Sequence, residues 1–520
     1  SKLKIQGHVY RQNRESLTLL VDEDLDNTSE LSDSNNFYFL IKTTSDITYR
    51  KMFKTIEKLK RVEDSEEHNS LILDILLNKI DKNTLKSQMN YTTHKDNLKQ
   101  YFNTSLNESQ KNAVCFALNN PVSIIHGPFA CGKTSTIVEI LEQINASSDH
   151  KGKVMVCGPS NVSVDTILEK TSRNEKINPG QMVRIGNVTR MHGNANFSLD
   201  NKVNNGDEGA ICKDIKAEIN TLLKQTTKGN SKSKKNVKAT LTLRGKAKWN
   251  EIKLLRRDLS KREDKVVKDV VKRSKFLFAT LHGSSNKQVL TMYDEDEDVV
   301  NNQFDGVETL IIDEVSQSLE IQCWIPILDH FKYLKRVIFA GDNNQLPPTV
   351  KTLPSEGSKG ENVFNILNTT IFDRLENLYG RTLIAFLNTQ YRMNERIMQF
   401  PSEEMYKGAV ISGDINRDIL LSDISQNVDT IAEDEILNEP VLWYDTQCDL
   451  SFMEDQKQDE GKPHKNDIFN SKSNINEVYI ALKHIERLFD VMELNEEHIG
   501  IITPYQAQVQ LMKHHINYKY

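Results

Sequence analysis

Cysteine is scarce in this chain of 520 residues. The six that occur, Cys115, Cys131, Cys157, Cys212, Cys323 and Cys448, are scattered and never form a C-x-x-C pair. That argues against a zinc module and a disulfide framework, and fits a reducing compartment. Long apolar runs are missing too: none approaches the ~20 residues of a membrane span, so no membrane partner is expected. No secretory leader is visible at the start given, and the first residue is Ser1 rather than Met, so the beginning reads as a fragment or a processed end. A nuclear or cytoplasmic protein, not a secreted one, is the expectation. There is no internal repeat. Hydrophobic content of 38% with 27% charged residues is ordinary for a globular chain. The length calls for three or four domains rather than one core.

A net basic excess is also absent, the formal charge being −6. The charge is unevenly spread, however. From Lys224 to Lys275 there are 19 Lys and Arg against 5 Asp and Glu, so the rest of the chain is strongly acidic. An isolated basic run is most simply a solvated helix. Against an acidic background, a phosphate-facing element explains it at least as well.

What is present is an octapeptide, Gly127-Pro128-Phe129-Ala130-Cys131-Gly132-Lys133-Thr134. It follows an apolar run (Val122, Ile124, Ile125) and opens a helical stretch through Ile137, Val138 and Ile140. Strand, glycine loop, helix is the context in which G-x-x-x-x-G-K-[ST] cradles phosphates. Backbone N–H groups of the loop and helix start, Gly127 to Ser135, face the anion. Lys133 reaches the β/γ-phosphates and the Thr134 hydroxyl holds Mg²⁺. ATP with Mg²⁺ is the expected ligand.

Residues 1–60 read as strands: Val9, Leu17, Leu19 and Val21 alternate with polar residues, and Phe37-Tyr38-Phe39-Leu40-Ile41 follows. A partial β-barrel over 1–64 and a helical stalk or linker over 65–105 are expected. Then apolar strands (Val154–Cys157, Phe276–Phe278, Leu310–Ile312, Val337–Phe339) alternate with helices. That pattern implies an α/β fold, with a doubly wound, mostly parallel sheet over 106–204 and 276–350. The basic segment 205–275 interrupts it. There Trp249, Ile252, Leu255 and Leu259 recur at helical spacing, a stripe better explained by packing than by binding. A second α/β unit over 351–520 has strands at Leu383-Ile384-Ala385 and Ile499-Gly500-Ile501-Ile502.

Three further runs carry chemistry. Leu310-Ile311-Ile312-Asp313-Glu314 is an apolar strand ending in two carboxylates. Asp313 is placed to hold Mg²⁺ and Glu314 to orient and deprotonate a water. The plain alternative is a carboxylate pair capping the next helix. In Gly341-Asp342-Asn343-Asn344-Gln345-Leu346-Pro347-Pro348, Gln345 is placed near the γ-phosphate. In Gln390-Tyr391-Arg392-Met393, Arg392 can stabilise charge on the transferring phosphoryl, its plain alternative being a surface ion pair.

In this order the elements resemble superfamily 1 helicases of the up-frameshift-like branch. Leu106-Asn107-Glu108-Ser109-Gln110 is similar to that branch's adenine-reading motif. Gly158 to Asp165, Thr280-Leu281-His282-Gly283-Ser284, Phe400-Pro401-Ser402 and Thr503-Pro504-Tyr505 match further motifs. Lys248–Arg257 and Cys323–Pro326 look most like the immunoglobulin-mu-binding and DNA polymerase alpha-associated helicases. The resemblance implies tandem RecA-like domains with ATP between them, a barrel, a helical insertion and a single strand across the top. By position, Gln110 reads the adenine edge and Tyr391 stacks on the base. Gln345 and Arg392 sense the γ-phosphate. Ser160, Asn161, Thr280, Pro504 and Tyr505 touch the strand, joined by Arg256 and Arg257 of the basic insertion. Tyr505 either stacks on a base or packs beside Pro504. Single-stranded nucleic acid, DNA preferred and RNA possible, a replication protein such as DNA polymerase alpha, and a monomeric state complete the expectation.

Two departures stand out. The loop reads Pro-Phe-Ala-Cys where the family usually has Pro-Pro-Gly-Thr. Ala130 is costly if the position needs φ > 0, and Phe129 adds bulk beside the nucleotide. Cys131 is expected to be inert. After Tyr505 the family's glycine-and-glutamine motif and its second catalytic arginine do not follow. The second domain therefore reads as C-terminally incomplete, and hydrolysis by this chain alone as poor. Activity expected is 5′-to-3′ helicase action driven by ATP. An RNA helicase of the mRNA-surveillance type and an ATP-gated strand clamp are the alternatives.

Overall fold

A strand forms only where a neighbour offers its backbone, and a hairpin is the smallest such pairing. The computed structural model describes residues 7–12, 17–21, 47–64, 70–92, 100–188, 191, 193, 195–227, 238–293, 306–350, 358–424, 436, 438–447, 450–452, 471–492 and 494–519. The chain divides into two compact units, Ser1–Arg50 and Lys51–Tyr520. In the first unit β1 (Gly7–Gln12) and β2 (Leu17–Val21) pair antiparallel, Gly7 opposite Val21. The run Phe37–Ile41 lies outside the described residues, so the barrel is not confirmed. Residues up to 60, expected to be strands, are helical from Ile47: α1 spans Ile47–Asp64. Met52, Thr55 and Val62 are buried on one side of it, a helical spacing.

The second unit is built on one seven-stranded sheet. Its strands are β3 (Val122–His126), β4 (Lys153–Gly158), β5 (Met182–Ile185), β6 (Phe276–Thr280), β7 (Val307–Ile312), β8 (Arg336–Gly341) and β9 (Ile384–Phe386). All pairs are parallel, in the order β5-β6-β4-β7-β8-β3-β9. Successive strand residues point to opposite faces, and both faces are covered. Ile125, Val156, Phe278 and Ile311 join one core with α4 (Glu108–Asn119), α5 (Lys133–Ala146) and α6 (Asn161–Arg173). Ile124, Cys157, Leu277 and Leu310 join the other with helices described below.

Two expectations change here. Leu383–Ala385 is no part of the second α/β unit expected over 351–520. Instead β9 adds to the open edge of β3, Ile384 beside Ile124 and Phe386 beside His126, which carries the first sheet past the boundary set at 350. The stalk is not a free stalk either. Helices α2 (Leu71–Leu76) and α3 (Lys82–Gln88) bury Ile72, Leu73, Ile75, Leu76 and Leu85 in the second core. The Tyr379 hydroxyl donates to the Ile75 carbonyl (2.9 Å) and the Ile80 carbonyl (3.2 Å), pinning them there.

The insertion is helical. After α7 (Leu199–Asn205), α8 (Asp207–Thr227) and α9 (Lys238–Arg273) pack on one another, with Lys216 paired to Glu263 at 2.6 Å. Val266, Val267 and Val271 root α9 in the second core. There the buried Lys153 ammonium donates to the carbonyls of Lys272 (2.6 Å) and Ser274 (2.8 Å) at the end of α9. The same core takes up α10 (Glu320–His330), and α11 (Ser358–Asn368) leads to α12 (Ile371–Tyr379), which it also holds.

Beyond β9, β10 (Thr389–Gln390) pairs parallel with β11 (Ile411–Ser412) around α13 (Glu395–Tyr406), and α14 (Ile475–Met492) packs on α15 (Gln506–Lys519). Ile499–Ile502, expected as a strand, forms none, and Ile502 is 96% exposed. No described strand lies against it to complete a ladder. Among the described residues no helix is long and apolar enough to cross a membrane.

Candidate nucleotide site and nucleic-acid face

In an open parallel sheet, ligands gather beyond the carboxyl ends of the strands. The phosphate loop leaves β3 there, and the Gly127 N–H donates to the Gly341 carbonyl of β8 (3.0 Å). Ala130 has φ +56°, so the alanine does occupy a left-handed conformation. Gly132 has φ +78°, and a Cβ there would lie 2.2 Å from Gln110 Nε2. Gln110 Nε2 donates to the Cys131 carbonyl (3.0 Å) and its Oε1 accepts from the Asn107 N–H (2.9 Å), closing a capping box on α4. Gln110 thus holds loop and helix cap together, with one N–H left to offer a base. Tyr391 arrives at the same place: its N–H donates to the Ala130 carbonyl (3.3 Å) and its hydroxyl accepts from Asn107 Nδ2 (2.9 Å). The bulk of Phe129 goes elsewhere than expected, packing edge-on to Tyr406 of α13 at 5.6 Å. Cys131 is fully buried, and burial, then the nearby Asp342, pushes its thiol up to about 12. It is unreactive as a nucleophile.

At the end of β7, Lys133 Nζ donates to Glu314 Oε1 (2.6 Å) and lies 3.5 Å from Asp313 Oδ1. Glu314 takes a left-handed turn (φ +51°) that aims its carboxylate at the loop, and Gln317 Nε2 steadies it at 3.0 Å. Glu314 stands at the N-cap position of the short 3-10 turn Val315–Gln317, but its side chain makes no capping hydrogen bond there, and α10 is capped at Leu319. Burial pulls the Lys133 ammonium down, but Asp313 and Glu314 outweigh it and its pKa rises. Burial pushes the Asp313 carboxyl up, against the opposing pull of Lys133. Asp313 Oδ1 is buried, and beyond the 3.5 Å approach of Lys133 Nζ it has no hydrogen-bond partner. A carboxylate oxygen in that state, together with the Thr134 hydroxyl at the start of α5, is a donor set that suits a hard divalent cation.

The end of β8 holds a hub that the motif reading missed. Asp342 accepts from His126 Nε2 (3.1 Å) and the Asn344 N–H (3.1 Å) on Oδ1, and from Gln345 Nε2 (2.6 Å) and the Tyr406 hydroxyl (2.5 Å) on Oδ2. Burial raises its carboxyl, but these side-chain donors prevail and hold it below its ordinary value. Gln345 is therefore oriented by Asp342. Arg392 is exposed, and among the described residues its guanidinium makes no ion pair, contrary to its plain alternative.

Ser160, Asn161 and Thr280 come together. Gly158 and Thr280 are partners in the β4–β6 ladder, Ser160 caps α6 through the Ser163 N–H (3.1 Å), and Thr280 Oγ1 accepts from the Gly283 N–H (3.1 Å). Asn161 Oδ1 is already held by the buried Arg184 (2.8 Å), which also pairs with Asp165 at 2.7 Å. Beneath this edge, burial and then Lys51 hold His282 down to about 4, so its ring is neutral. Arg256 and Arg257 lie exposed on α9. Pro504 and Tyr505 are exposed before α15, with Lys472 Nζ 6.0 Å from the Tyr505 ring; no described hydrogen bond or ion pair joins them to the Ser160–Thr280 group.

Residues 105–353 and 367–520 each match a family described as an AAA domain. The chain is 38% identical over 510 residues to DNA polymerase alpha-associated DNA helicase A of Saccharomyces cerevisiae, covering 98% of this chain and 68% of that protein. It is 31% identical over 514 residues to the protein of the same name in Schizosaccharomyces pombe, with the same coverage. It is also 31% identical over 517 residues to DNA-binding protein SMUBP-2 of Mesocricetus auratus, covering 99% of this chain and 46% of that one. Fold and site define a P-loop ATPase with a parallel-sheet core. More narrowly, the chain belongs to the up-frameshift-like branch of the superfamily 1 helicases, enzymes that hydrolyse ATP to act on nucleic acid.

Proposed function

We propose that the chain is a 5′-to-3′ translocase and helicase on single-stranded nucleic acid, DNA preferred, driven by ATP. The observation that carries the reading is the meeting of Lys133, Asp313 and Glu314 at the mouth of the phosphate loop. Lys133 binds the β/γ-phosphates of the substrate. Glu314 accepts the proton of the attacking water and so orients it. Gln345 and Arg392 stabilise the γ-phosphoryl, and Gln110 and Tyr391 hold the base. Mg²⁺, held by Thr134 and Asp313, would neutralise charge on the phosphate oxygens. Ser160, Asn161, Thr280, Pro504 and Tyr505, with Arg256 and Arg257, contact the strand through its backbone and bind without reading sequence. The names of the yeast and hamster relatives support DNA, and two of those names support a polymerase alpha partner. The polarity follows the family, and a nuclear or cytoplasmic monomer completes the reading.

The test is ATP hydrolysis with single-stranded DNA, with single-stranded RNA and with neither. Stimulation by DNA is expected to vanish in Lys133→Ala. Glu314→Gln should lower turnover by about 10²–10⁴-fold while nucleotide still binds. Stimulation by RNA alone would move the reading to an RNA helicase. Binding of nucleotide and strand without turnover in the wild type would leave a clamp.

A further inference from the structure

We propose that Tyr406 is a positioning residue for ATP hydrolysis, tying Gln345, through Asp342, to the helix that follows Arg392. The inference rests on the ATPase reading above. Tyr406 is the last residue of α13, and Arg392 lies just before that helix begins. Its ring is buried, edge-on to Phe129 at 5.6 Å and 6.2 Å from His126. Its hydroxyl donates to Asp342 Oδ2 at 2.5 Å, and Gln345 Nε2 donates to the same oxygen at 2.6 Å. A second tie runs one residue earlier, from Asn344 Nδ2 to the Met405 carbonyl (2.9 Å). The loop bearing Gln345 is thus bolted twice to the end of α13.

Two donors sharing one carboxylate oxygen divide its charge. While Tyr406 donates, Gln345 can leave Asp342 for the γ-phosphate without stranding a buried anion. Without the hydroxyl, Asp342 Oδ2 is left to Gln345 alone, which is gripped harder and released less readily. A rotation of α13 that brings Arg392 inward also changes the Tyr406–Asp342 bond. Gln345 and Arg392 therefore engage together rather than independently. Phe129, the residue that stands where the family usually has proline, gives the Tyr406 ring its lateral wall.

Tyr406→Phe keeps the ring contacts and removes only the hydroxyl. Its kcat for strand-stimulated hydrolysis should fall about tenfold, with KM for ATP and affinity for a fluorescent ADP analogue within twofold of wild type. The retained affinity also shows that the variant is folded. Asp342→Asn should lower kcat similarly, and the double variant should be no slower than the slower single one. Wild-type kcat in Tyr406→Phe, an equal loss of nucleotide affinity, or additive losses in the double variant would each overturn the inference. A wild type that does not hydrolyse ATP at all would instead refute the ATPase reading beneath it.

Discussion

Ala130 holds a left-handed turn (φ +56°) in the loop that must approach phosphate most closely. For a residue with a Cβ that conformation costs roughly 1–2 kcal/mol. Ala130→Gly should therefore raise stability by about 1 kcal/mol and lower KM for ATP, read by thermal melting and steady-state kinetics. Unchanged melting and unchanged KM would mean the loop carries no such strain. Gly127 to Thr134, and Asp313 with Glu314, were legible in the sequence because each motif is contiguous and its strand context lies beside it. The Asp342 hub was not. His126 and Tyr406 stand 216 and 64 residues from Asp342, and only the fold brings them onto one carboxylate. Asp342 lay inside a recognised run, and its carboxylate next to a buried strand end was the available signal.

Helix α9 is where charge and packing separate along one element. Its root is apolar, and Arg256, Arg257, Lys261 and Arg262 line its exposed length. Replacing these four by Ala should weaken single-strand binding and flatten the salt dependence by up to ~0.7 in log–log slope per lost phosphate contact. An unchanged slope would mean that the helix faces away from the strand. Lys153 at its root has its ammonium pulled to about 7 by burial, with Lys272 adding to the effect. The unfolded chain keeps that proton to about 10.4. Between those values the unfolded state binds more protons, so stability rises with pH through the window. Lys153→Met should flatten that rise in denaturant titrations at successive pH values. The insertion and its helices were readable from periodicity, whereas α1 and the sheet partner of β9 were not. β-Branched and aromatic residues at the start of α1 mimic a strand, although Met52, Thr55, Leu59 and Val62 keep a helical beat. An apolar run such as Leu383–Ala385 announces a strand but not which sheet edge will accept it.

At the scale of the molecule, the carboxyl ends of one sheet carry both groups of candidate residues. The phosphate loop follows β3, Asp313 and Glu314 follow β7, Asp342 follows β8, and Ser160 and Thr280 follow β4 and β6. A shift of these strands on nucleotide binding would be felt directly at Ser160 and Thr280. The sequence pattern foretold this parallel core because continuous apolar runs leave no other arrangement. It could not foretell what covers the core from the N-terminal side.

That cover sets the smallest piece that can be cut out of this protein. Similarity to the AAA family starts at residue 105, and a fragment cloned to that boundary would discard α2 and α3. It would strip Ile72, Leu76 and Leu85 from the core they share with Phe116, Val122 and Tyr379, and remove the Ile75 carbonyl that accepts from the Tyr379 hydroxyl. A fragment spanning 105–520 should therefore precipitate or be digested quickly by protease, whereas one spanning 70–520 should resist. Equal protease lifetimes for the two would show the cover to be dispensable. The family match begins inside this fold, not at its start.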